Sequence, residues 1–148
     1  MDMGIPIEYK KTKIAVLNEV IEATYVSMGN PHLVIFVENV NNYPVEKYGK
    51  IIENNKKFLN RTNVEFVEIE NENNIKMRVW ERGTGETLAC GTGASASVVA
   101  GVINKMLKYD VNVKLLGGRL HIMWDKSNKH IYMTGPAKAV YKGEWLND

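Results

Sequence analysis

Apolar positions recur with a period close to two over residues 13–26, where Ile14, Val16 and Leu17 are followed by Val20, Ala23, Tyr25 and Val26. That spacing, rich in β-branched types, predicts two strands joined around Asn18-Glu19. Met28-Gly29-Asn30-Pro31 predicts a turn, and Leu33 to Val37 a short buried strand. Pro44 suits the first turn of a helix in which Tyr48, Ile51, Ile52 and Asn55 share a face. Further on, Val64, Phe66, Val67 and Ile69 are interleaved with Glu65 and Glu68, the pattern of a half-buried strand. Asn71 to Asn74 follows as a turn, and Ile75 to Trp80 as the next strand.

The pattern then changes. From Ala94 to Ile103 no residue is charged: Ala94, Ser95, Ala96, Ser97, Ala100 and Gly101 are small, and Val98, Val99, Val102 and Ile103 are apolar. A helix that is small or apolar on every side must be enclosed on every side. Lys105 and Lys108 stand just past it, where cations complement the helix dipole. A β-meander is expected after it, from Val111 to Leu116, Leu120 to Trp124, Ile131 to Thr134 and Ala139 to Trp145, with a hairpin turn at Gly117-Gly118. The predicted class is α+β, a curved, mostly antiparallel or mixed sheet wrapped around one central buried helix, as a single unit over residues 1–148.

Composition narrows the function classes. The chain has 148 residues and a formal charge of +2, with lysines scattered among Asp and Glu, so nucleic-acid binding has no electrostatic footprint. No apolar run approaches the roughly 20 residues that span a bilayer. The start, Met1-Asp2-Met3-Gly4-Ile5-Pro6, lacks the layout of a secretory signal, which makes a cytoplasmic protein without membrane association the expectation. One cysteine, Cys90, excludes an intrachain disulfide and a cysteine-built metal site. His32, His121 and His130 lack metal-binding spacing, so no metal is expected.

Cys90 stands where the enclosed helix should begin, followed by Gly91-Thr92-Gly93. A helix amino terminus offers unpaired N–H groups and a partial positive charge, which should lower the pKa of a thiol there. The bare glycines would let a carboxylate approach the amides of Gly91 and Thr92. A lone intracellular cysteine is also commonly an inert core residue, and the residues alone leave both open.

Four separated segments carry a resemblance. They are Asp2 to Pro6, Val26-Ser27-Met28-Gly29-Asn30-Pro31-His32, Arg61-Thr62-Asn63-Val64-Glu65-Phe66, and the long run Glu81-Arg82-Gly83-Thr84-Gly85-Glu86-Thr87-Leu88-Ala89-Cys90-Gly91-Thr92-Gly93-Ala94. Gly135-Pro136-Ala137 and Val140 to Glu144 fit the same template. In order and spacing the chain resembles the carboxy-terminal half of the diaminopimelate epimerase family. The resemblance implies inversion of the α-carbon of LL-diaminopimelate to the meso isomer, toward lysine and peptidoglycan, without pyridoxal phosphate, metal or other cofactor. Two cysteines would face opposite sides of that carbon, one as thiolate base and one as thiol donor, and Cys90 would be one of them. Gly91 and Thr92 would hold the α-carboxylate, and Asn30, Asn63, Glu81 and Arg82 the distal amino and carboxylate groups. His32 would support the site by orienting Glu81.

The family's first half, with its own cysteine signature, has no counterpart here. The chain is therefore expected to be one lobe, inactive alone, whose partners are the small-molecule substrate, the missing amino-terminal lobe and possible copies of itself. Two alternatives remain: a lobe of a related amino-acid racemase, and a non-catalytic binding or assembly domain on the same fold.

Overall fold

A computed structural model describes residues 1–145. The described residues form β1 (Glu8–Val16), β2 (Glu19–Ser27), β3 (Pro31–Phe36), α1 (Val45–Glu53), β4 (Asn63–Asn71), β5 (Asn74–Glu81), β6 (Gly85–Thr87), α2 (Gly91–Ile103), β7 (Asp110–Leu115), β8 (Gly118–Trp124) and β9 (Ile131–Thr134). The strands join in one sheet ordered β1-β2-β3-β4-β5-β7-β8-β9. Two of its pairs are parallel. β3 reaches β4 by way of α1, and β5 reaches β7 by way of β6 and α2. The outer edge of β5 is divided between two neighbours: β7 takes its start, at Asn74–Lys76, and β6 its end, at Val79–Glu81.

The helices lie on opposite faces. α1 packs Val45 and Ile52 against Ile14, Leu33, Ile35, Val64 and Phe66. α2 packs against the other face, and the sheet curls so that β2, β3 and β4 meet it on one side and β8 and β9 on the other. The mixed sheet around an enclosed helix is the architecture expected from the uncharged run. α2 needs its small residues, since a Cβ on Gly101 would come within 2.2 Å of Leu107 Cδ1. α1 ends at Glu53, short of Asn55, which turns back to cap the loop and donates to Ala15 O.

Two expectations are corrected. β4 is covered on both faces at its start rather than half-buried: Val64 and Phe66 meet the α1 layer and Val67 the α2 layer, and Glu65 is fully buried. Residues 139–145 form no strand, and Val140, Tyr141 and Trp145 are 81%, 85% and 88% exposed. The physical reason is competition for an edge. The free side of β9 is already hydrogen-bonded by residues 1–4, through Met3 N to Ile131 O, Ile131 N to Gly4 O and Met133 N to Met1 O. Among the described residues, no helix is long and apolar enough to cross a membrane.

Candidate active site

Cys90 caps the amino terminus of α2. Its backbone is extended (φ −144°, ψ 111°), its carbonyl accepts from Ala94 N, and its sulfur accepts from Gly93 N at 3.3 Å. The glycines beside it serve close packing. A Cβ at position 93 would lie 2.7 Å from Glu65 Oε1 and 3.2 Å from the sulfur. At position 91 it would lie 3.0 Å from Met133 Sδ. The amides of Gly91 and Thr92 belong to the first helical turn, whose donors have no acceptor within the helix.

The sulfur is not activated in the way its position suggested. Burial pushes the thiol up to about 11, and the Glu65 and Glu81 carboxylates add to the shift. The Thr92 hydroxyl and the Gly93 amide pull the other way without prevailing. The expectation of a depressed pKa is therefore corrected: desolvation and two nearby anions outweigh the helix end, and Cys90 rests as a thiol.

The other expected residues form two groups, the first of which reaches this helix end. In the first, His32 bonds Glu65 Oε1 through Nδ1 at 2.6 Å and meets Asn30 Oδ1 through Nε2 at 3.1 Å. Asn30 Nδ2 donates to Thr92 Oγ1 at 3.3 Å, and Thr92 Oγ1 lies 3.6 Å from the Cys90 sulfur. Both ring nitrogens of His32 are thus engaged, so orienting Glu81 is not its task. In the second group, Asn63 ties the segments together: its Nδ2 donates to Pro31 O at 3.0 Å and its Oδ1 accepts from Arg82 N at 2.8 Å. One N–H and one lone pair of that amide remain for a ligand. Glu81 Oε1 accepts from the Thr87 hydroxyl, and Arg82 Nη1 donates to Asn60 O.

Two buried acids in these groups were not evident from the chain's pattern. Glu65 shares a face of β4 with the apolar Val67 and Ile69 and is fully buried there. Glu53, 5% exposed, accepts from Arg61 Nη1, Trp80 Nε1 and Gly83 N, and so anchors the turn that presents Glu81 and Arg82. Gly83 adopts φ +77° in that turn, a conformation glycine takes without strain. The only sequence signal for either acid was its place among apolar neighbours.

A cavity of about 610 Å³ opens beside the Arg82 end of the site, lined by Asn30, Pro31, Tyr25, Lys57, Arg61 and Arg82. Cys90 is not part of its wall. The wall carries the cations Lys10, Lys57, Arg61 and Arg82 against the single acid Glu8, a balance that suits a carboxylate-bearing ligand. Among the described residues, no group of three or more His, Cys, Asp or Glu side chains is placed to hold a metal ion.

Comparison with known proteins follows the same lines. The sequence model of the family described as diaminopimelate epimerase matches residues 24–140. Diaminopimelate epimerase of Methanococcus maripaludis is 51% identical over 97% of this chain and 57% of its own length. The Halothermothrix orenii enzyme of the same name is 53% identical over 91% of this chain and 47% of its own. This chain therefore spans about half the length of the curated relatives it matches. Among solved structures, a hydroxyproline epimerase from Agrobacterium vitis shares the fold, with a TM-score of 0.65 and 11% identity over 88% of this chain and 46% of that one.

Proposed function

Because the chain belongs to the diaminopimelate epimerase family, we propose that it forms the carboxy-terminal lobe of a cofactor-independent epimerase interconverting LL- and meso-diaminopimelate. Residues 1–148 are one such lobe, acting in the cytoplasm, and a second lobe supplies the other cysteine. One observation carries this reading: His32, Asn30 and Thr92 form a hydrogen-bonded chain to Cys90, and Asn63, bonded to Pro31 beside Asn30, holds the backbone of Arg82 next to Glu81.

In the direction in which the other lobe's cysteine is the base, Cys90 is the proton donor, and in the reverse direction the two exchange roles. A thiol raised to about 11 keeps its proton at neutral pH until a carbanion forms against it. A thiolate of the other lobe removes the α-proton from one face, forming its own S–H bond. The Cys90 S–H bond breaks as a new C–H bond forms on the opposite face. Negative charge spreads onto the α-carboxylate during this transfer, and fixed amides of Gly91 and Thr92 aimed there each contribute about 3–4 kcal/mol. Arg82 presents a planar fork for the distal carboxylate. Glu81 pairs with the distal ammonium, and Asn30 and Asn63 fix the orientation of that end.

The test uses LL-diaminopimelate in heavy water, followed by mass spectrometry and chiral analysis. The purified chain alone is expected to give no α-deuteration above buffer. Adding the separately produced first half of the Methanococcus maripaludis enzyme should restore both deuteration and the meso isomer. Rapid turnover by the chain alone, or none in the mixture, would overturn this assignment.

A further inference from the structure

Glu65 is fully buried, and its Oε2 has no hydrogen-bond partner among the described residues. A buried carboxylate is costly unless paired, and an unpartnered oxygen adds to that cost. A residue present only to fill this space between β4 and α2 would be better apolar. Two features offset the burden: the His32 ring at 2.6 Å, itself fully buried, and the amino-terminal turn of α2, whose partial positive charge favours an anion. The contacts then continue outward. His32 leads to Asn30, Asn30 to Thr92, and Thr92 to the Cys90 sulfur, over separations of 3.1, 3.3 and 3.6 Å.

We propose that Glu65 is a positioning residue, which fixes the His32 ring with Nδ1 protonated and thereby aims the Asn30 amide and the Thr92 hydroxyl at the Cys90 site. The carboxylate is the innermost member of a chain of four side chains from β4, β3, the β2–β3 turn and α2. Both ring nitrogens face an acceptor, Glu65 Oε1 at Nδ1 and Asn30 Oδ1 at Nε2, so both donate, and the Glu65 carboxylate is the partner that holds the ring in that state. Its use in catalysis rests on the activity proposed above; the linkage itself does not.

The test has two arms. In the first, the full chain is labelled with 15N in histidine and in asparagine side chains, and His32 is identified as the ring whose signals persist in H121Q and H130Q. Native His32 is expected to carry a proton on both Nδ1 and Nε2. In E65Q, without the carboxylate, one of the two should be lost, and the Asn30 side-chain amide signals should shift with it. A native His32 with bare Nδ1 overturns the proposal, whether or not E65Q folds. So does an E65Q protein whose His32 ring protons and Asn30 signals are unchanged. In the second arm, E65Q is paired with the first half of the relative and assayed. KM for LL-diaminopimelate should rise about 5- to 10-fold, the loss of one well-placed hydrogen bond, with kcat changed less. An E65Q mixture with unchanged KM overturns the link to the substrate. A native mixture without turnover sinks the assigned activity, and the nitrogen spectra still decide the role of Glu65.

Discussion

At the scale of single residues, Cys90 is subject to opposing effects whose sizes differ. The helix end and two donors favour the thiolate, whereas burial and the Glu65 and Glu81 carboxylates favour the thiol and prevail. Alkylation by iodoacetamide at pH 8 should therefore be at least about tenfold slower than that of a free model thiol. The rate should keep rising with pH toward a midpoint near 11, where the thiol finally ionises. A profile that levels off near pH 9 would show that the helix end dominates after all. The position of Cys90 and its glycines was legible in the sequence, because a cysteine before an uncharged helix is a local pattern. Its ionisation was not, since that depends first on burial and then on Glu65, an acid 25 positions earlier in the chain whose own burial a half-buried strand does not foretell. Period-two reasoning presumes one wet face, and β4 has none at that point.

At the scale of elements, the turn bearing Glu81 and Arg82 is held by a residue of α1. Glu53 binds Trp80 Nε1 at 2.8 Å, Gly83 N at 2.7 Å and Arg61 Nη1 at 2.9 Å. Desolvation raises its pKa, but the Trp80, Gly83 and Arg61 contacts together outweigh it and hold the carboxyl below its ordinary value. The folded state thus prefers ionised Glu53 more than the unfolded state does. The resulting stability is present above the ordinary carboxylate pKa and is lost as pH falls through the depressed one. Urea unfolding should show a steepening loss of stability below about pH 4.5 in the native chain, and a shallower one in Glu53→Gln. Glu53→Ala should cost about 2–4 kcal/mol near neutral pH, because it strands the buried indole and amide donors. A native-like urea midpoint in Glu53→Ala would show that the turn is held by other contacts. Most strands and both helices could be read from spacing, and α2 most firmly, because a helix with no charge over ten positions has no face suited to water. The clamp could not, since nothing in the local pattern around Glu53 refers to residues 80–83.

At the scale of the whole molecule, the segment 139–145 departs from its pattern for a topological reason. Its alternation resembles a strand, yet the β9 edge on which a meander would seat it is taken by residues 1–4. Val140, Tyr141 and Trp145 consequently lie open to water, as do Ile7, at 73% exposure, and Leu88, at 67%. Monomeric proteins rarely leave so many large apolar side chains uncovered, and fully burying each contributes about 1.5–3 kcal/mol. The chain spans about half the length of its curated relatives, so the cover intended for these side chains is expected on the second lobe. Without it, copies of the chain should associate through them. Sedimentation velocity should show the average mass climbing above 16.8 kDa as concentration rises. Joint replacement of Val140, Tyr141 and Trp145 by Ser should abolish that climb while leaving the folded core intact, because none of the three belongs to either apolar cluster. The complementary first half should suppress it in the native chain by competing for the same side chains. A mass fixed at 16.8 kDa at every concentration would show that these residues do not join copies of the chain.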